Sequence, residues 1–363
     1  ANHITSLCYY LVQMGHEVKV IAPASRAVPA IGNGFIPIGK PRPVPSSGSI
    51  ARMTLSLTLA SPIKNILNKE KFDIVHLHEP FCPMLCTTML LLSDAVNIGT
   101  FHACGGRLGY KLGWPLSTII LRRWARKLDG KIAVSKVAMR NVGRYIPGHY
   151  EIIPNGIDLQ HFSGDISPIE AFCDGKQNIL FVGRLESRKG LNYLIKAYHH
   201  VKREIPDSRL IIVGPGTRLR RKYEKWIERN NLKDVVFAGY VTYADLPRYY
   251  QTADIFCSPA TGKESFGIVL LEAMALGKPV VATNIAGYAS VVTNGEEGWL
   301  VPPKNNNSLV QALISLLGNE TLRHQMGAKG KLKAREYSWE NIAEKVLNYY
   351  LKVLNESPRS PGT

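Results

Sequence analysis

The chain has 363 residues, of which 45% are hydrophobic and 20% charged, an ordinary composition for a globular protein with room for two domains. No apolar run reaches the roughly 18 residues of a membrane-spanning helix. The six cysteines are scattered without a Cys-x-x-Cys pair, which indicates reduced thiols in a cytosolic protein. The formal net charge of +17 indicates an anionic ligand, nucleic acid or acidic membrane, or simply a basic surface.

The chain opens in a helical pattern over Asn2 to Met14, where a doubly wound domain normally begins with a strand and a glycine-rich loop. We therefore expect a truncated N-terminus, the alternative being a domain that begins with a helix. Further on, β-rich runs alternate with amphipathic helical stretches, as in parallel α/β sheets. The predicted strands are Val18–Ala22, Asp73–His78, Asn97–His102, Lys131–Ser135 and Glu151–Ile153, followed by Asn178–Val182, Arg209–Val213, Val235–Ala238, Asp254–Ser258, Pro279–Ala282 and Gly298–Val301.

These two sets of strands predict an α/β protein of two Rossmann-like domains whose parallel sheets face a cleft. The first domain is predicted over residues 1–160 and the second over 177–338. Turn signals between them predict a linker over residues 161–176. In the final segment, residues 339–363, a helix over 339–354 is expected to pack back on the first domain before a frayed tail.

Positive charge is concentrated in residues 1–160, which hold 18 Lys and Arg against 8 Asp and Glu. The densest group is Arg122, Arg123, Arg126, Lys127 and Lys131. A helical region predicted over Ala51–Phe72 carries apolar residues beside basic ones. It either lies on an anionic membrane or packs its apolar face into the core.

The strongest motif runs from Gly262 to Glu272, between a predicted strand and a helix. The free N–H groups of a helix start attract phosphate, and Gly267 allows close approach of a ligand. Because a carboxylate beside a diphosphate is unfavourable, Glu264 is expected to face sugar hydroxyls, and Glu272 to accept from ribose hydroxyls. The alternative is a helix-capping acid and an ordinary surface glutamate.

A second motif follows the strand that ends at Gly183 and carries the cations Arg184, Arg188 and Lys189 in one loop. A leaving diphosphate needs its growing charge neutralised, and these side chains would do so in place of a metal ion. The alternative is a solvated basic loop.

His102 ends a predicted strand. Its side chain either contacts a sugar hydroxyl or a phosphate, or makes its hydrogen bonds within the protein at the strand end. His76 and His78 alternate with apolar residues on another strand, but as a pair they lack a further metal ligand, so no metal site is predicted. Neither a Walker A motif nor G-x-G-x-x-G is present, which argues against an NTPase or a dehydrogenase.

Nearly the whole chain resembles the retaining GT-B glycosyltransferases of glycosyltransferase family 4, and within them the bacterial phosphatidylinositol mannosyltransferases. The resemblance is carried by His76-Leu-His-Glu-Pro80, Thr100-Phe-His102, Ile132-Ala-Val-Ser135, Ile153-Pro-Asn-Gly-Ile-Asp158, Val182-Gly-Arg184, Arg188-Lys-Gly190, Glu264-Ser-Phe-Gly-Ile-Val269 and the Glu-x₇-Glu spacing, with Ser47-Gly-Ser-Ile-Ala-Arg52 resembling the acceptor loop.

This resemblance implies a role for each candidate site residue. His102, Glu264, Arg184 and Lys189 are the catalytic candidates; donor binding is assigned to Gly183, Arg184, Lys189, Val241, Ser265, Phe266, Gly267, Ile268, Val269 and Glu272; acceptor binding is assigned to Ser49 and Arg52. It implies a nucleotide-sugar co-substrate, GDP-mannose or a UDP-hexose, and no tightly bound cofactor. Stimulation by Mg²⁺ is compatible with it, without a metal site on the protein.

The predicted function is therefore retaining transfer of a hexose, mannose from GDP-mannose, to a phosphatidylinositol-type lipid. The enzyme is expected in the cytoplasm, peripherally bound to the anionic inner face of the plasma membrane, with no nucleic-acid partner. The sequence does not predict its oligomeric state. The alternatives are a UDP-sugar donor with another glycolipid or glycan acceptor, a nucleotide-sugar epimerase, or a non-catalytic sugar-binding protein.

Overall fold

The computed structural model describes residues 2–23, 34–46, 49–56, 58–102 and 115–359, with the backbone alone at 2, 45–46, 49–52 and 115–118. The chain divides into two compact units. Unit 1 consists of Ala1–Asn155 and Trp339–Thr363, and unit 2 consists of Gly156–Ser338. Each unit has hydrophobic clusters of its own.

Unit 1 contains strands β1 to β8 and helices α1 to α5, and the last helix of the chain, α12, also belongs to it. In chain order the elements are α1 (Asn2–Gln13), β1 (Val20–Ala22), β2 (Phe35–Pro37), β3 (Arg42–Ser46), β4 (Ser49–Met53), α2 (Ala60–Glu70), β5 (Ile74–His78), α3 (Leu85–Leu92), β6 (Val96–Phe101), α4 (Pro115–Ala125), β7 (Gly130–Ala133), α5 (Lys136–Gly143), β8 (Glu151–Ile152) and α12 (Trp339–Glu356).

The main sheet of unit 1 is parallel, in the order β5-β6-β7-β8. Strands β1 and β2 form a parallel pair, and β3 and β4 form an antiparallel hairpin. Because parallel strands need crossover helices on their faces, β6 is buried along its whole length.

Helix α12 completes unit 1 from the other end of the chain. Its buried side chains, among them Ile342 and Val346, join Leu7 of α1 and Val96 of β6 in one apolar cluster. The Tyr349 hydroxyl accepts a hydrogen bond from the backbone N–H of Lys131 at 2.9 Å. The following residues stay attached, since Ser357 and Arg359 both contact Asp129. The tail predicted to fray is therefore docked up to residue 359.

Unit 2 is one six-stranded parallel sheet with helices on it. Its elements are β9 (Gln177–Val182), α6 (Leu191–Glu204), β10 (Ser208–Val213), α7 (Arg218–Arg229), β11 (Val235–Gly239), α8 (Leu246–Thr252), β12 (Ile255–Ser258), α9 (Ile268–Ala275), β13 (Val280–Thr283), β14 (Gly298–Val301), α10 (Asn306–Leu317) and α11 (Glu320–Arg335). The strand order is β11-β10-β9-β12-β13-β14, so the chain moves outward from β9 in one direction and from β12 in the other.

Two predicted segments differ from the structure. The helix expected over residues 51–72 is shorter, because residues 51–53 lie in strand β4 and the helix begins at Ala60. Its apolar face packs into the core of unit 1, where Ile63 is fully buried. Residues 161–176, predicted as a linker, lie within unit 2, and Phe162 is only 1% exposed there.

Candidate active site

The strand order of unit 2 points to one edge of its sheet. Strands β9 and β12 are parallel neighbours, but the chain continues from β9 towards one side of the sheet and from β12 towards the other. Such a switch point opens a crevice at the carboxyl ends of the strands. The loop after β9 carries residues 183–190, and the loop after β12 carries residues 259–267. Both sequence motifs of unit 2 therefore lie at the switch point.

Close backbone contacts hold these loops together. Thr261 donates its N–H to the Arg188 carbonyl oxygen at 2.8 Å. Gly190, at φ +73°, lies so near that a Cβ there would come within 1.8 Å of the Pro259 carbonyl oxygen. A Cβ on Gly214 would similarly come within 1.9 Å of the Gly183 carbonyl oxygen. These positions accept only glycine, because any side chain would separate the loops.

A charged cluster lies at the junction of the two loops. Lys189 Nζ is 2.8 Å from Glu264 Oε1, and the Arg188 guanidinium binds the same carboxylate oxygen. Arg188 Nε also donates to Glu186 at 2.8 Å, and Arg184 lies 3.9 Å from Glu186 with half of its side chain exposed. Three cations thus face two carboxylates, which leaves one net positive charge for an anionic ligand.

The backbone turns sharply at Gly267 before helix α9. Its φ is +106°, and a Cβ would come within 2.7 Å of the Tyr288 ring. Phe266 is buried and anchors the loop in the core of unit 2. The other predicted contacts, Ser265 before the turn and Ile268 and Val269 in the first helical turn, are partly exposed at this start of α9.

One helical turn further on, Glu272 is held by a tyrosine from another helix. Tyr250 in α8 donates its hydroxyl hydrogen to Glu272 Oε2 at 2.6 Å. Burial raises the pKa of Glu272 to about 7, although the Tyr250 hydrogen bond and the charge of Lys189 act in the opposite direction. This carboxyl therefore accepts hydrogen bonds best above neutral pH.

Val241 lies in the segment after β11, again beyond the carboxyl end of a strand, and packs partly buried on the core. Nearby, the Tyr243 ring stacks on His161 with a centroid separation of 4.0 Å. This segment offers apolar and aromatic surface on the same side of the sheet as the charged cluster.

His102 belongs to unit 1 and directly follows β6. Its Nε2 is hydrogen-bonded to His78 Nδ1, at the end of neighbouring β5, at 2.9 Å. Its backbone N–H donates to Glu79 Oε1 at 2.8 Å. The His3 ring from α1 contacts both histidines edge-on, with centroid separations of 5.1 Å to His78 and 4.8 Å to His102.

The imidazoles of this group are neutral at pH 7. Burial, reinforced for His3 by the nearby His102, lowers the pKa of His3 to about 3. Burial likewise lowers the pKa of His102 to about 4 and that of His78 well below its usual value. A hydrogen bond with the Asn155 side chain opposes the shifts of His3 and His102.

The acceptor-binding candidates Ser49 and Arg52 lie on β4 of the hairpin, and their side chains are outside the described residues. Their partners in the hairpin are Ser46 and Pro43 respectively.

Comparison with known proteins follows the same division of the chain. The family model for "Glycosyltransferase Family 4" matches residues 1–161, and the model for "Glycosyl transferases group 1" matches residues 164–333. The phosphatidyl-myo-inositol mannosyltransferase of Mycobacterium leprae is 33% identical over 97% of this chain and 92% of its own. The enzyme of the same name from Propionibacterium freudenreichii is 32% identical over 96% and 90%.

The chain belongs to glycosyltransferase family 4. Solved structures confirm the GT-B fold of this glycosyltransferase. A glycosyltransferase from Rickettsia africae superposes with a TM-score of 0.79 over 97% of this chain and 94% of its own, at 20% identity. Sucrose-phosphate synthase from Thermosynechococcus elongatus gives 0.74 over 97% and 92%, at 21% identity.

Three groups of contacts in this glycosyltransferase have no signal in its sequence. Arg188 lies in the predicted cationic loop, but nothing in the sequence shows that it, with Lys189, pairs with Glu264. Tyr250 precedes Glu272 by 22 residues, with no motif around it. His3 and His102 are joined only by the packing of α1 against the sheet edge.

Proposed function

We propose that this glycosyltransferase transfers mannose from GDP-mannose to a phosphatidylinositol-type lipid at a membrane surface, with retention of the anomeric configuration. The relatives named phosphatidyl-myo-inositol mannosyltransferase, 31–33% identical over most of the chain, support the choice of sugar and acceptor. The chemistry of the charged cluster in unit 2 supports the choice of a nucleotide-diphosphate donor.

The observation that carries the transfer reaction is this charged cluster at the switch point of the unit 2 sheet. A sugar diphosphate carries two negative charges before transfer, and the charge on its leaving oxygen grows as the sugar departs. Arg184, with half of its side chain exposed, and Lys189 can move onto the diphosphate. The released Glu264 carboxylate then accepts hydrogen bonds from sugar hydroxyls.

In the proposed reaction the acceptor hydroxyl oxygen bonds to the anomeric carbon on the face that the diphosphate leaves. The bond from that carbon to the phosphate oxygen breaks, and its electron pair stays on the diphosphate. A donor phosphate oxygen takes the hydroxyl proton. The transition state has oxocarbenium character, and the cations stabilise the leaving group.

The remaining candidates take supporting roles in this proposal. Glu272 accepts hydrogen bonds from the ribose, the backbone of 265–269 binds phosphate and sugar, and Val241 lies against the base. His102 contacts the transferred sugar, and Ser49 and Arg52 contact the head group of the acceptor.

Contact with an anionic membrane is proposed on the basis of exposed cations in unit 1. Arg123 and Arg126, in and just after α4, are exposed next to Ile119, whose side chain is 65% exposed. By contrast, Lys127 donates to the carbonyl oxygens of Leu91 and Ser93 and is committed to the fold. Each basic side chain near an anionic surface adds about 1 kcal/mol. Among the described residues, no helix has the length and apolar character to cross a bilayer.

The membrane contact is tested by vesicle sedimentation. R123Q/R126Q should weaken binding to vesicles containing phosphatidylinositol by about tenfold or more, because two such cations are lost. R221Q/K222Q removes the same charge from exposed positions of unit 2 and should change binding little. Equal weakening of vesicle binding by both variants would show that only the total charge matters, and would contradict membrane contact through α4.

The reaction is tested by incubating labelled GDP-mannose, UDP-glucose or UDP-N-acetylglucosamine with phosphatidylinositol vesicles. We expect mannose in the lipid fraction from GDP-mannose and little transfer from the other donors. Glu264→Gln should lower kcat by about 10²–10³-fold, whereas E296Q, at an exposed carboxylate of unit 2, should not. Absence of lipid labelling from all donors would refute the lipid acceptor.

A second donor class is favoured by one structural neighbour. The Anabaena protein HepE, solved with UDP-glucose, superposes with a TM-score of 0.64 over 81% of this chain and 82% of its own, at 18% identity. If this chain uses a UDP-hexose, the same assay yields label from UDP-glucose and none from GDP-mannose. Release of nucleotide diphosphate only with an acceptor present separates transfer from epimerisation.

A further inference from the structure

Three histidines from separate elements of unit 1 form a compact cluster, the triad His3, His78 and His102. His3 lies in the first turn of α1, His78 ends β5 and His102 follows β6. One ring nitrogen of each residue lies within 4.8 Å of those of the other two. The three rings thus converge on a small volume at the carboxyl ends of two neighbouring strands.

One buried ring nitrogen of the triad has no hydrogen-bond partner among the described residues, and two others are bonded only to one another. His3 Nδ1 is buried and has no hydrogen-bond partner among the described residues. His78 Nδ1 and His102 Nε2 are hydrogen-bonded to one another, so they face each other across 2.9 Å. Neighbouring His76 differs, because its two nitrogens bind the hydroxyls of Tyr350 and Thr100, each at 2.6 Å. Leaving a buried imidazole nitrogen unpaired costs free energy, which a ligand at the triad would recover.

We propose that His3, His78 and His102 bind one divalent transition-metal ion of the zinc class. Zinc–nitrogen bonds of about 2.0–2.1 Å place two tetrahedral ligand atoms roughly 3.3 Å apart. The pair His78 and His102 would open by a few tenths of an ångström, and His3 would close on the ion. Three protein ligands leave a fourth position for water or a substrate oxygen.

The chemistry of the surroundings favours this class of ion. All three ligands are imidazoles, which suit Zn²⁺, Co²⁺, Ni²⁺ or Cu²⁺ and not the oxygen-seeking Mg²⁺. The rings are neutral at pH 7, so that their lone pairs are available. The polar side chain of Asn155 opposes the pKa shifts of His3 and His102, so it is near enough to both rings to act as an outer partner of a metal-binding histidine.

Occupation of the triad has a consequence that rests on the proposed function. His102 is the proposed contact to the transferred sugar, and its ring cannot hold an ion and remain free to make that contact. Zinc should therefore inhibit transfer, and a chelator should restore it.

Metal binding is measured directly, without donor or acceptor, on untagged protein. Titration with Co²⁺ should produce the visible d–d absorption of a tetrahedral nitrogen site, saturating at about one ion per chain, and excess Mg²⁺ should not displace it. Zinc retained after dialysis, measured by mass spectrometry, should reach the same stoichiometry. A spectrum typical of six oxygen-rich ligands, or no saturation at one ion, would overturn the proposal on wild-type protein alone.

Variants then assign the site. His3→Gln should weaken Co²⁺ binding by about 10–100-fold or more, the size of effect seen even for outer partners of metal sites. His324→Gln removes a histidine whose side chain is 79% exposed beside Glu320 and should leave Co²⁺ binding unchanged. Circular dichroism checks that both variants fold. Equal affinity of His3→Gln and wild type would reject the triad.

The transfer assay with and without zinc separates the two proposals. Co²⁺ binding without sugar transfer from any donor would contradict the proposed function and leave the metal site standing. Transfer that zinc does not affect, in protein that binds one ion, would contradict the role of His102 in contacting the sugar.

Discussion

At the scale of single residues, the candidate site is shaped by charges that neutralise each other. Arg188 contacts Glu186 and Glu264 at once, with a quarter of its side chain exposed. Lys189 shares Glu264 with it at 2.8 Å. A carboxylate with two cations is stabilised in place, and the cations are held where a diphosphate can reach them. Arg188 is thus a positioning residue for both loops.

Replacing Arg188 with Ala should destabilise unit 2 by about 1–3 kcal/mol, because two partly buried carboxylates lose their shared partner. Transfer should fall at least about tenfold as Glu264 loses its position. R220A is the matched control, since Arg220 pairs with Glu224 on exposed α7 and lies over Phe237, and should cost about 1 kcal/mol or less. Denaturant unfolding and the transfer assay report the two effects; equal losses in both variants would contradict the positioning role.

The raised pKa of Glu272 predicts a pH dependence of stability. In the folded protein this carboxyl has a pKa of about 7, and in the unfolded chain about 4.5. Between these values the folded state binds the extra proton, so stability is greatest below pH 4.5 and is lost as the pH rises through 7. Between pH 5 and pH 8, the free energy of unfolding of Glu272→Gln should therefore increase by on the order of 1–2 kcal/mol relative to that of wild type. This value is reduced for the partial exposure of the side chain.

Denaturant unfolding at a series of pH values measures this difference for Glu272→Gln. E296Q, which removes an exposed carboxylate from unit 2, provides the baseline. A constant difference between Glu272→Gln and wild type at all pH values would show that the carboxyl is not desolvated.

At the scale of elements, the candidate-site edge of the unit 2 sheet depends on loops whose backbones approach each other closely at glycines. The turn at Gly190 places α6 after β9, and the turn at Gly267 starts α9 after β12. Both have positive φ, and each would bring a Cβ against a fixed neighbour, the Pro259 carbonyl oxygen or the Tyr288 ring. The helix starts are therefore set by backbone contact between the loops.

Gly190→Ala should destabilise unit 2 by at least about 2 kcal/mol, because the new Cβ meets the Pro259 carbonyl oxygen at 1.8 Å and the φ of +73° is strained for alanine. Transfer should fall with it as the charged cluster separates. Gly216→Ala is the control in the same unit, since its Cβ would meet only the flexible Arg220 side chain at 3.4 Å. Thermal unfolding measures both; a Gly190→Ala protein as stable as wild type would be inconsistent with this packing.

At the scale of the whole molecule, the two units differ in how the chain builds them. Unit 2 is continuous from Gly156 to Ser338, whereas unit 1 takes its last helix from the end of the chain. Unit 1 also holds the histidine triad, whose rings are partly buried and neutral, with Trp339 of α12 packed on His3 at a centroid separation of 4.7 Å. Its stability therefore depends on keeping those rings unprotonated.

Acid should weaken unit 1 before the carboxylates titrate. The pKa values of His3 and His102, about 3 and 4, lie below the ordinary 6.5, so the unfolded state binds more protons as the pH falls. The stability that the neutral rings contribute to the folded protein is fully present above pH 6.5. It is lost as the pH falls towards 4, at up to about 1.4 kcal/mol per pH unit for each ring.

Hydrogen exchange of peptides from β6 and α12 follows this loss between pH 6.5 and 4, after correction for intrinsic exchange. His3→Gln should flatten the pH dependence, and H149Q, at a histidine 79% exposed, should leave it unchanged. Identical profiles for His3→Gln and wild type would mean that His3 does not carry the effect.

The sequence was sufficient to predict the fold class and the strands that the candidate-site loops follow. Continuous apolar runs identify parallel strands buried on both faces, and the residues that follow them must lie at one sheet edge. Family membership and the GT-B fold are confirmed. The hairpin over 42–53 was missed because Pro43 and Pro45 in β3 argue against a strand, although an isolated hairpin tolerates them.

The pairing of side chains was decided by the tertiary structure alone. Glu264 meets Lys189, Tyr250 meets Glu272, and His3 meets His102 because strand order and helix packing bring distant segments together. Local periodicity specifies the face on which a residue lies, but not its partner across a loop or sheet edge. The sequence thus determined which residues are available for chemistry, and the tertiary structure decided which of them neutralise, orient or desolvate one another.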